Sequence, residues 1–123
     1  MNVWLVIAAI NGFVAVAAGA FGAHGLQGKL DAHGLEVFET GARYQMYHAL
    51  AMGLAALAMR GNAASTAQVA AIFFLIGIVL FSGSLYILAL AGTRAVGIVT
   101  PFGGLAFLVG WATLAWAGTK ISG

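Results

Sequence analysis

Four long apolar stretches separated by short polar segments dominate the sequence. They lie at about residues 3–23, 42–59, 69–91 and 98–118. Each is close to the roughly 20 apolar residues that a helix needs to cross a bilayer. Membrane-spanning segments satisfy their backbone internally, and the period-two alternation of membrane strands is not visible here. The pattern predicts an all-α, polytopic membrane protein: a compact bundle of four transmembrane helices forming a single domain over residues 1–123.

The connection between the first two stretches is polar and holds all three acidic residues. Asp31 suits a helix N-cap, because its carboxylate can accept from the free N–H groups that follow. The connection is therefore partly helical, and the second helix is expected to run from about residue 32 to 59. A break near Gly41 stays open, since glycine weakens a helix. Glu39 and Arg43 are spaced i,i+4, which predicts a solvated ion pair.

The last helix and the tryptophans give further boundary signals. Thr100 is expected to cap the fourth helix, with Pro101 at its first position, where no N–H is needed. Trp4, Trp111 and Trp116 lie toward span ends. Because tryptophan is enriched at membrane–water interfaces, we expect all three in the headgroup belts.

Composition supports a membrane protein. Hydrophobic residues make up 63% of the chain and charged residues 7%, against about 45–50% and about 25% in soluble domains. Soluble enzymes and disordered tails are therefore excluded. The net charge is only +2 and the basic residues are scattered, so nucleic acid is not an expected partner. No Lys or Arg precedes Lys29, which disfavours a cleavable signal peptide, although Ala18-Gly19-Ala20 resembles a cleavage site.

Small residues are abundant, and one series recurs at seven-residue intervals in the third stretch. Its members are Ala70, Gly77, Ser84 and Ala91. Helix association in lipid depends on close packing through such residues. The series predicts tight helix contacts and favours a role in helix–helix or lipid contacts.

The run Arg43-Tyr44-Gln45-Met46-Tyr47-His48 is the sharpest polar cluster. Polar groups at the mouth of a span are costly unless satisfied, which suggests function. A structural role is the alternative, with the tyrosines as interface anchors and His48 bonded to a neighbouring helix. The candidate ligand-binding or functional residues are His24, Arg43, Tyr44, Tyr47, His48, Ser82 and Tyr86.

His24 ends the first span and could approach His48 at one membrane surface, where two histidines could ligate haem or a metal. No recognised metal-binding spacing is present, so neither a metal nor a cofactor is predicted. Ser82 and Tyr86 share a helix face, but Ser82 lacks an activating base for nucleophilic chemistry. No catalytic residue is assigned, and we do not expect an enzyme.

Several stretches together resemble a known family. They are Gly19-Ala-Phe-Gly-Ala-His24-Gly-Leu26, Thr40-Gly-Ala-Arg-Tyr-Gln-Met-Tyr-His48-Ala-Leu50, Phe81-Ser-Gly-Ser-Leu-Tyr86, Thr100-Pro-Phe-Gly-Gly104 and Gly110-Trp111. With these motifs the chain resembles the small four-helix bacterial membrane proteins grouped as domain of unknown function 423. The resemblance implies a multi-pass protein of a bacterial plasma membrane with four crossings. It implies no reaction and no catalytic residue.

The sequence therefore predicts a non-enzymatic membrane protein of unknown biochemical role. It would contact the lipid bilayer and act as a self-associating bundle or as a small subunit of a membrane assembly. Two alternatives remain. The first is a protein that binds a lipid headgroup, quinone, haem or ion near His24, Arg43, Tyr44 and His48. The second is a small transporter, disfavoured by the lack of ionisable groups inside the spans.

Overall fold

The only regular elements in residues 1–121, which are the residues that the computed structural model describes, are helices. Its α-helices are α1 (Val3–Ala20), α2 (Ala32–Leu57), α3 (Ala64–Gly77), α4 (Gly83–Ala91) and α5 (Thr100–Thr119). The predicted all-α class is confirmed.

Short turns extend these helices into longer rods. A wide π-helical turn, Phe21–Gly25, continues α1, and a second one, Ile78–Ser82, joins α3 to α4. Tight 3₁₀ turns, Gly61–Ala63 and Arg94–Ile98, lead into α3 and α5.

Three of the resulting rods are long and apolar enough to cross a membrane. Among residues 1–121 they are Val3–Gly25, Gly61–Ala91 and Arg94–Thr119. The remaining rod is α2, whose first third carries acidic residues. The number of crossings therefore stays a prediction.

Helix α2 begins where the capping signal predicted. The Asp31 Oδ1 atom accepts from the backbone N–H of Gly34 at 2.7 Å. The helix then continues without a break through Gly41. A Cβ built at Gly41 would lie 3.0 Å from the Tyr86 ring. Gly41 thus gives α4 close access to α2, rather than interrupting the helix.

Helix α2 lies at the centre of the bundle. It packs against α1 on one side and against α3 and α4 on another, while α5 packs mainly on α3 and the turn that follows it. The α2 side chain of Met52 is fully buried, as is Phe74 of α3. By contrast, only Ala8 and Ala15 are buried in α1. The helix with the most buried residues is therefore the least apolar one.

Glycines and phenylalanines interlock α3 with α5. A Cβ at Gly110 of α5 would lie 2.7 Å from the ring of Phe74, and a Cβ at Gly77 of α3 would meet the ring of Phe107. Each helix thus offers a glycine to the other helix's phenylalanine. The predicted seam is confirmed at its first three positions, which are buried, but Ala91 is exposed.

The capping prediction for α5 is half right. Pro101 lies in the first turn as expected. Thr100 is itself helical, and its hydroxyl pairs with the Ser84 hydroxyl at 2.5 Å. Thr100 therefore ties α5 to α4 instead of capping its own helix, because a buried hydroxyl from the neighbouring helix is within reach.

Candidate functional site

A chain of side-chain hydrogen bonds crosses the bundle from α4 to α1. Tyr86 Oη donates to Gln45 Oε1 at 2.7 Å, and Gln45 Nε2 donates to Asn11 Oδ1 at 3.1 Å. Asn11 Nδ2 in turn donates to the carbonyl oxygen of Ile7 at 3.0 Å. We call Asn11, Gln45 and Tyr86 the polar core. Such interhelical bonds hold membrane helices together, which gives Tyr86 a structural role.

His48 lies in a second buried polar contact. The indole Nε1–H of Trp111 donates to His48 Nε2 at 3.1 Å, while His48 Nδ1 lies 2.7 Å from the carbonyl oxygen of Tyr44. Indole only donates, so Nε2 accepts and Nδ1 carries the proton toward Tyr44. The imidazole is thus neutral and uses both nitrogens. Its ring also stacks on Phe107, with centroids 3.4 Å apart.

This geometry revises two predictions. His48 bonds to a neighbouring helix, as the structural alternative supposed, and offers no free nitrogen to haem or metal. Trp111 reaches into the bundle rather than serving only as a headgroup anchor, because the His48 acceptor needs its donor. Trp116 is 62% exposed, with the Lys120 ammonium 4.6 Å from its ring centroid.

An open cavity with a volume of about 380 Å³ lies between α2 and α5. We call it the aromatic crevice; its lining residues are Tyr44, Tyr47, His48, Phe81, Gly104, Phe107, Leu108 and Trp111. Tyr44 and Tyr47 are 36% and 50% exposed, and their rings are 5.4 Å apart. Within residues 1–121, neither tyrosine hydroxyl has a hydrogen-bond partner. Two predicted site residues with unbonded hydroxyls therefore line one cavity.

A second crevice lies between α1 and α2 and has a volume of about 450 Å³. We call it the charged crevice; its lining residues are Ala15, Gly19, Gly22, Ala23, Gln27, Leu35, Phe38, Glu39, Ala42, Arg43 and Met46. Arg43 Nη2 donates to Thr40 Oγ1 at 3.4 Å.

The predicted pair between Glu39 and Arg43 is wrong, since the described part of the chain contains no ion pair. Both side chains are exposed. An exposed pair gains little free energy and loses side-chain entropy, so i,i+4 spacing alone does not bring the charges together.

Ser82 is fully buried in the wide turn between α3 and α4. Its Oγ has no hydrogen-bond partner. The neighbouring Ser84 behaves differently, since its hydroxyl donates to the Phe81 carbonyl oxygen at 2.9 Å. No histidine or carboxylate contacts Ser82 among the described hydrogen bonds, so the arrangement supplies no base to activate it.

His24 is exposed at the end of the turn that follows α1. Gly22 packs on Phe38, where a Cβ would lie 2.9 Å from the ring. His48 lies ten residues further along α2 than Phe38, which is about 15 Å along the axis. The structure therefore does not bring His24 and His48 together. The described residues also contain no group of three or more metal-ligating side chains.

Gln45 is the site residue that sequence reasoning missed as a candidate. It belongs to the polar run on α2, but its partners are 34 and 41 residues away in the chain. The sequence signal for this hydrogen-bonded network was Asn11, the one strongly polar residue in the first span. A lone amide in a span predicts an interhelical partner, although not which one.

Comparisons with known proteins find relatives among bacterial membrane proteins. The family described as "Protein of unknown function (DUF423)" matches residues 18–104. The UPF0382 membrane protein SAB0533 of Staphylococcus aureus is 42% identical over the full length of both chains. The UPF0382 membrane protein YwdK of Bacillus subtilis is 44% identical over 121 residues, which is 98% of each chain.

A third relative carries a location in its name. The UPF0382 inner membrane protein YgdD of Escherichia coli is 46% identical over 110 residues, covering 89% of this chain and 84% of that protein. No solved structure matches the chain. The family resemblance drawn from the motifs is confirmed. The chain belongs to the DUF423 family and is a multi-pass protein of the bacterial cell membrane, in contact with the lipid bilayer.

Proposed function

We propose that the chain crosses the membrane four times and acts, without catalysis, as a self-associating bundle. The path of the chain supports the fourth crossing. Asn2 Nδ2 donates to the Ala56 carbonyl oxygen at 3.4 Å, so α1 begins beside the end of α2. If Val3–Gly25 and Gly61–Ala91 both cross, α2 has to return through the bilayer between them.

Helix α2 is less apolar than the other rods, which argues against its crossing the membrane. The burial of its polar side chains within the bundle answers this objection. Its amide and imidazole groups, Gln45 and His48, are buried and bonded to other helices. Its acidic residues lie in its first third, toward the polar connection. A central helix with satisfied polar groups is compatible with crossing a bilayer.

The main support for self-association is that α1 packs against the rest of the bundle on one side only. This helix packs against α2, while Phe13 is 78% exposed and Val16 is 61% exposed. An apolar groove of about 340 Å³ runs beside it, which we call the α1 groove; its lining residues are Leu5, Ala8, Ala9, Gly12, Met46, Ala49, Leu50, Gly53, Leu54 and Leu57. Small residues let a second helix approach closely, and dimers with a two-fold axis are the commonest oligomers.

The bonding of two candidate residues, Tyr86 and His48, supports a non-catalytic role. Tyr86 donates to Gln45, whose amide nitrogen donates to Asn11 of α1, and His48 accepts from Trp111 of α5. Residues that are fully occupied in joining helices serve packing. Bonds of this kind between helices are sufficient for a protein that acts through helix contacts.

The chain has no cysteine, so single cysteines report proximity directly. Gly12→Cys places a thiol in the α1 groove, where a Cβ meets nothing within 4 Å. Leu108→Cys is the matched control, since Leu108 is 67% exposed on α5. Under mild oxidation in native membranes, Gly12→Cys should give disulfide-linked dimers faster than Leu108→Cys, because a disulfide requires Cα atoms within about 7 Å.

Native mass spectrometry from lipid nanodiscs provides the second measurement. A dimer that is lost in Gly12→Leu would support association through the α1 groove. A monomer at all protein densities, together with equal cross-linking of the two cysteine variants, would exclude self-association.

Binding of a quinone ring in the aromatic crevice is a second candidate function. It is favoured by the unbonded hydroxyls of Tyr44 and Tyr47, which could donate to ring carbonyl oxygens beside the stacked rings of His48 and Phe107. Nanodiscs containing ubiquinone test it. Quenching of Trp111 fluorescence should weaken in the Tyr44→Phe, Tyr47→Phe double variant, and unchanged quenching would rule the site out.

A further inference from the structure

We propose that the charged crevice binds one phospholipid whose headgroup carries an ammonium beside its phosphate, as in phosphatidylethanolamine. Arg43 holds the phosphate, Glu39 holds the ammonium, and an acyl chain lies on the apolar floor between α1 and α2. This inference goes beyond self-association and does not depend on it, since the α1 groove lies nearer the start of α1 on the same face and shares only Met46 with the charged crevice.

The charge of Arg43 requires a partner. The guanidinium makes one bond, to Thr40, and no ion pair with any of residues 1–121. Arg43 also lies within the stretch of α2 that packs on α1, between the contacts of Gly22 with Phe38 and of Ala8 with Gly53. A cation beside a membrane-spanning helix is stable only with an anion, a carbonyl group or water close by. A phosphate matches the planar fork of guanidinium donors.

The spacing of the two charges suits that headgroup. Glu39 precedes Arg43 by four residues, so the two lie about 6 Å apart along the axis of α2 and line the same crevice. In phosphatidylethanolamine only two carbons join the ammonium to the phosphate, so one headgroup carries both charges over a short distance. One headgroup can therefore offer its phosphate to Arg43 and its ammonium to Glu39. The proposal also explains why the two side chains are not paired with each other.

The floor of the crevice suits an acyl chain. Ala15, Gly19 and Ala42 keep the space between the helices open, and Phe38 and Met46 add apolar surface. Its volume of about 450 Å³ falls in the range of about 300–1,000 Å³ that is typical of small-molecule sites. A second copy of this chain fits less well, because the rim carries a charge of each sign and the α1 groove offers a purely apolar surface instead.

Two glycines of α1 leave room at the backbone for an added side chain and so allow a matched test. A Cβ meets nothing within 4 Å at Gly19, in the charged crevice, or at Gly12, in the α1 groove. Gly19→Leu therefore fills the proposed lipid site, and Gly12→Leu is the matched control on the same helix. Far-UV circular dichroism verifies that both variants keep the helical content of the wild type.

The experiment is native mass spectrometry of protein released from nanodiscs of equal phosphatidylethanolamine and phosphatidylglycerol. The wild type should retain one phosphatidylethanolamine, Gly19→Leu and Arg43→Gln should lose it, and Gly12→Leu should keep it. Glu39→Gln should lower the ratio of phosphatidylethanolamine to phosphatidylglycerol about fivefold, which is the upper value for an exposed ion pair.

Three outcomes would overturn the proposal. They are retention of the lipid by Gly19→Leu, an Arg43→Gln variant that binds like the wild type, and an unchanged lipid ratio in Glu39→Gln. Loss of the dimer rather than of lipid in Gly19→Leu would assign the crevice to a second copy. Loss of the dimer only in Gly12→Leu would leave the lipid result standing, so the two proposals fail separately.

Discussion

Two adjacent glycines of α5 provide a sharp test of the packing between α5 and the wide turn Ile78–Ser82. A Cβ at Gly103 would lie 2.7 Å from the Phe81 Cβ and 2.8 Å from its Cα, and would also meet its backbone nitrogen. A Cβ at Gly104 would have its nearest neighbour, an atom of the Phe81 ring, at 4.0 Å. Replacing each glycine by alanine thus adds the same methyl group to a blocked and to an open position.

The expected magnitudes follow from this contrast. Alanine is favoured over glycine in a helix by about 0.8–1.0 kcal/mol, so Gly104→Ala should stabilise the protein by up to that amount. The same gain applies at Gly103, but overpacking costs about 1–3 kcal/mol. The obstacle there is backbone, which cannot rotate away as a side chain can. Helix propensity cancels between the variants, so Gly103→Ala should be less stable than Gly104→Ala by about 1–3 kcal/mol.

Unfolding of the detergent-solubilised protein by increasing mole fractions of dodecyl sulfate measures this difference. Far-UV circular dichroism and tryptophan fluorescence would follow the transition of each variant. Coincident transitions by the two probes are needed before free energies are compared. Equal midpoints for Gly103→Ala and Gly104→Ala would refute the close approach of α5 to Phe81, and with it the packing deduced here.

Two further predictions concern the buried polar contacts. Tyr86→Phe removes the 2.7 Å bond to Gln45 and should destabilise the protein by about 1 kcal/mol in the same assay. Tyr47→Phe, which removes a hydroxyl without a partner, should change stability by less than about 0.5 kcal/mol, and equal losses would contradict the polar core. For His48, ¹⁵N NMR should show a protonated Nδ1 and an unprotonated Nε2 at neutral pH; a protonated Nε2 would exclude the bond from Trp111.

The features that sequence reasoning predicted correctly are those set by local chemistry. The length of an apolar stretch determines where a membrane helix can lie, and a carboxylate before free N–H groups determines where α2 begins. Asp31 caps Gly34 three residues away, and this distance is short enough to be read directly from the sequence. The all-helical fold and the start of α2 follow from such signals.

Contacts between distant segments could not be predicted in the same way. Trp111 reaches His48 across 63 residues, and its position in a span suggested an interface anchor instead. The seven-residue seam indicated close packing at Gly77, but nothing local indicated that Phe107 fills the space beside it. Helix rotation and depth decide such pairs, and both depend on how all the rods pack together.

The run of polar residues on α2 shows why adjacency in sequence misled the assignment of a single site. Successive residues of a helix point about 100° apart, so six in a row cover its whole circumference. Gln45 and His48 face inward, where they are buried and bonded to other helices. Arg43 lines the charged crevice, and Tyr44 and Tyr47 line the aromatic crevice. One motif therefore serves the bundle interior and two separate outer surfaces. Substitutions in the inward-facing group should change stability first, whereas ligand binding should depend on the residues that line the two crevices.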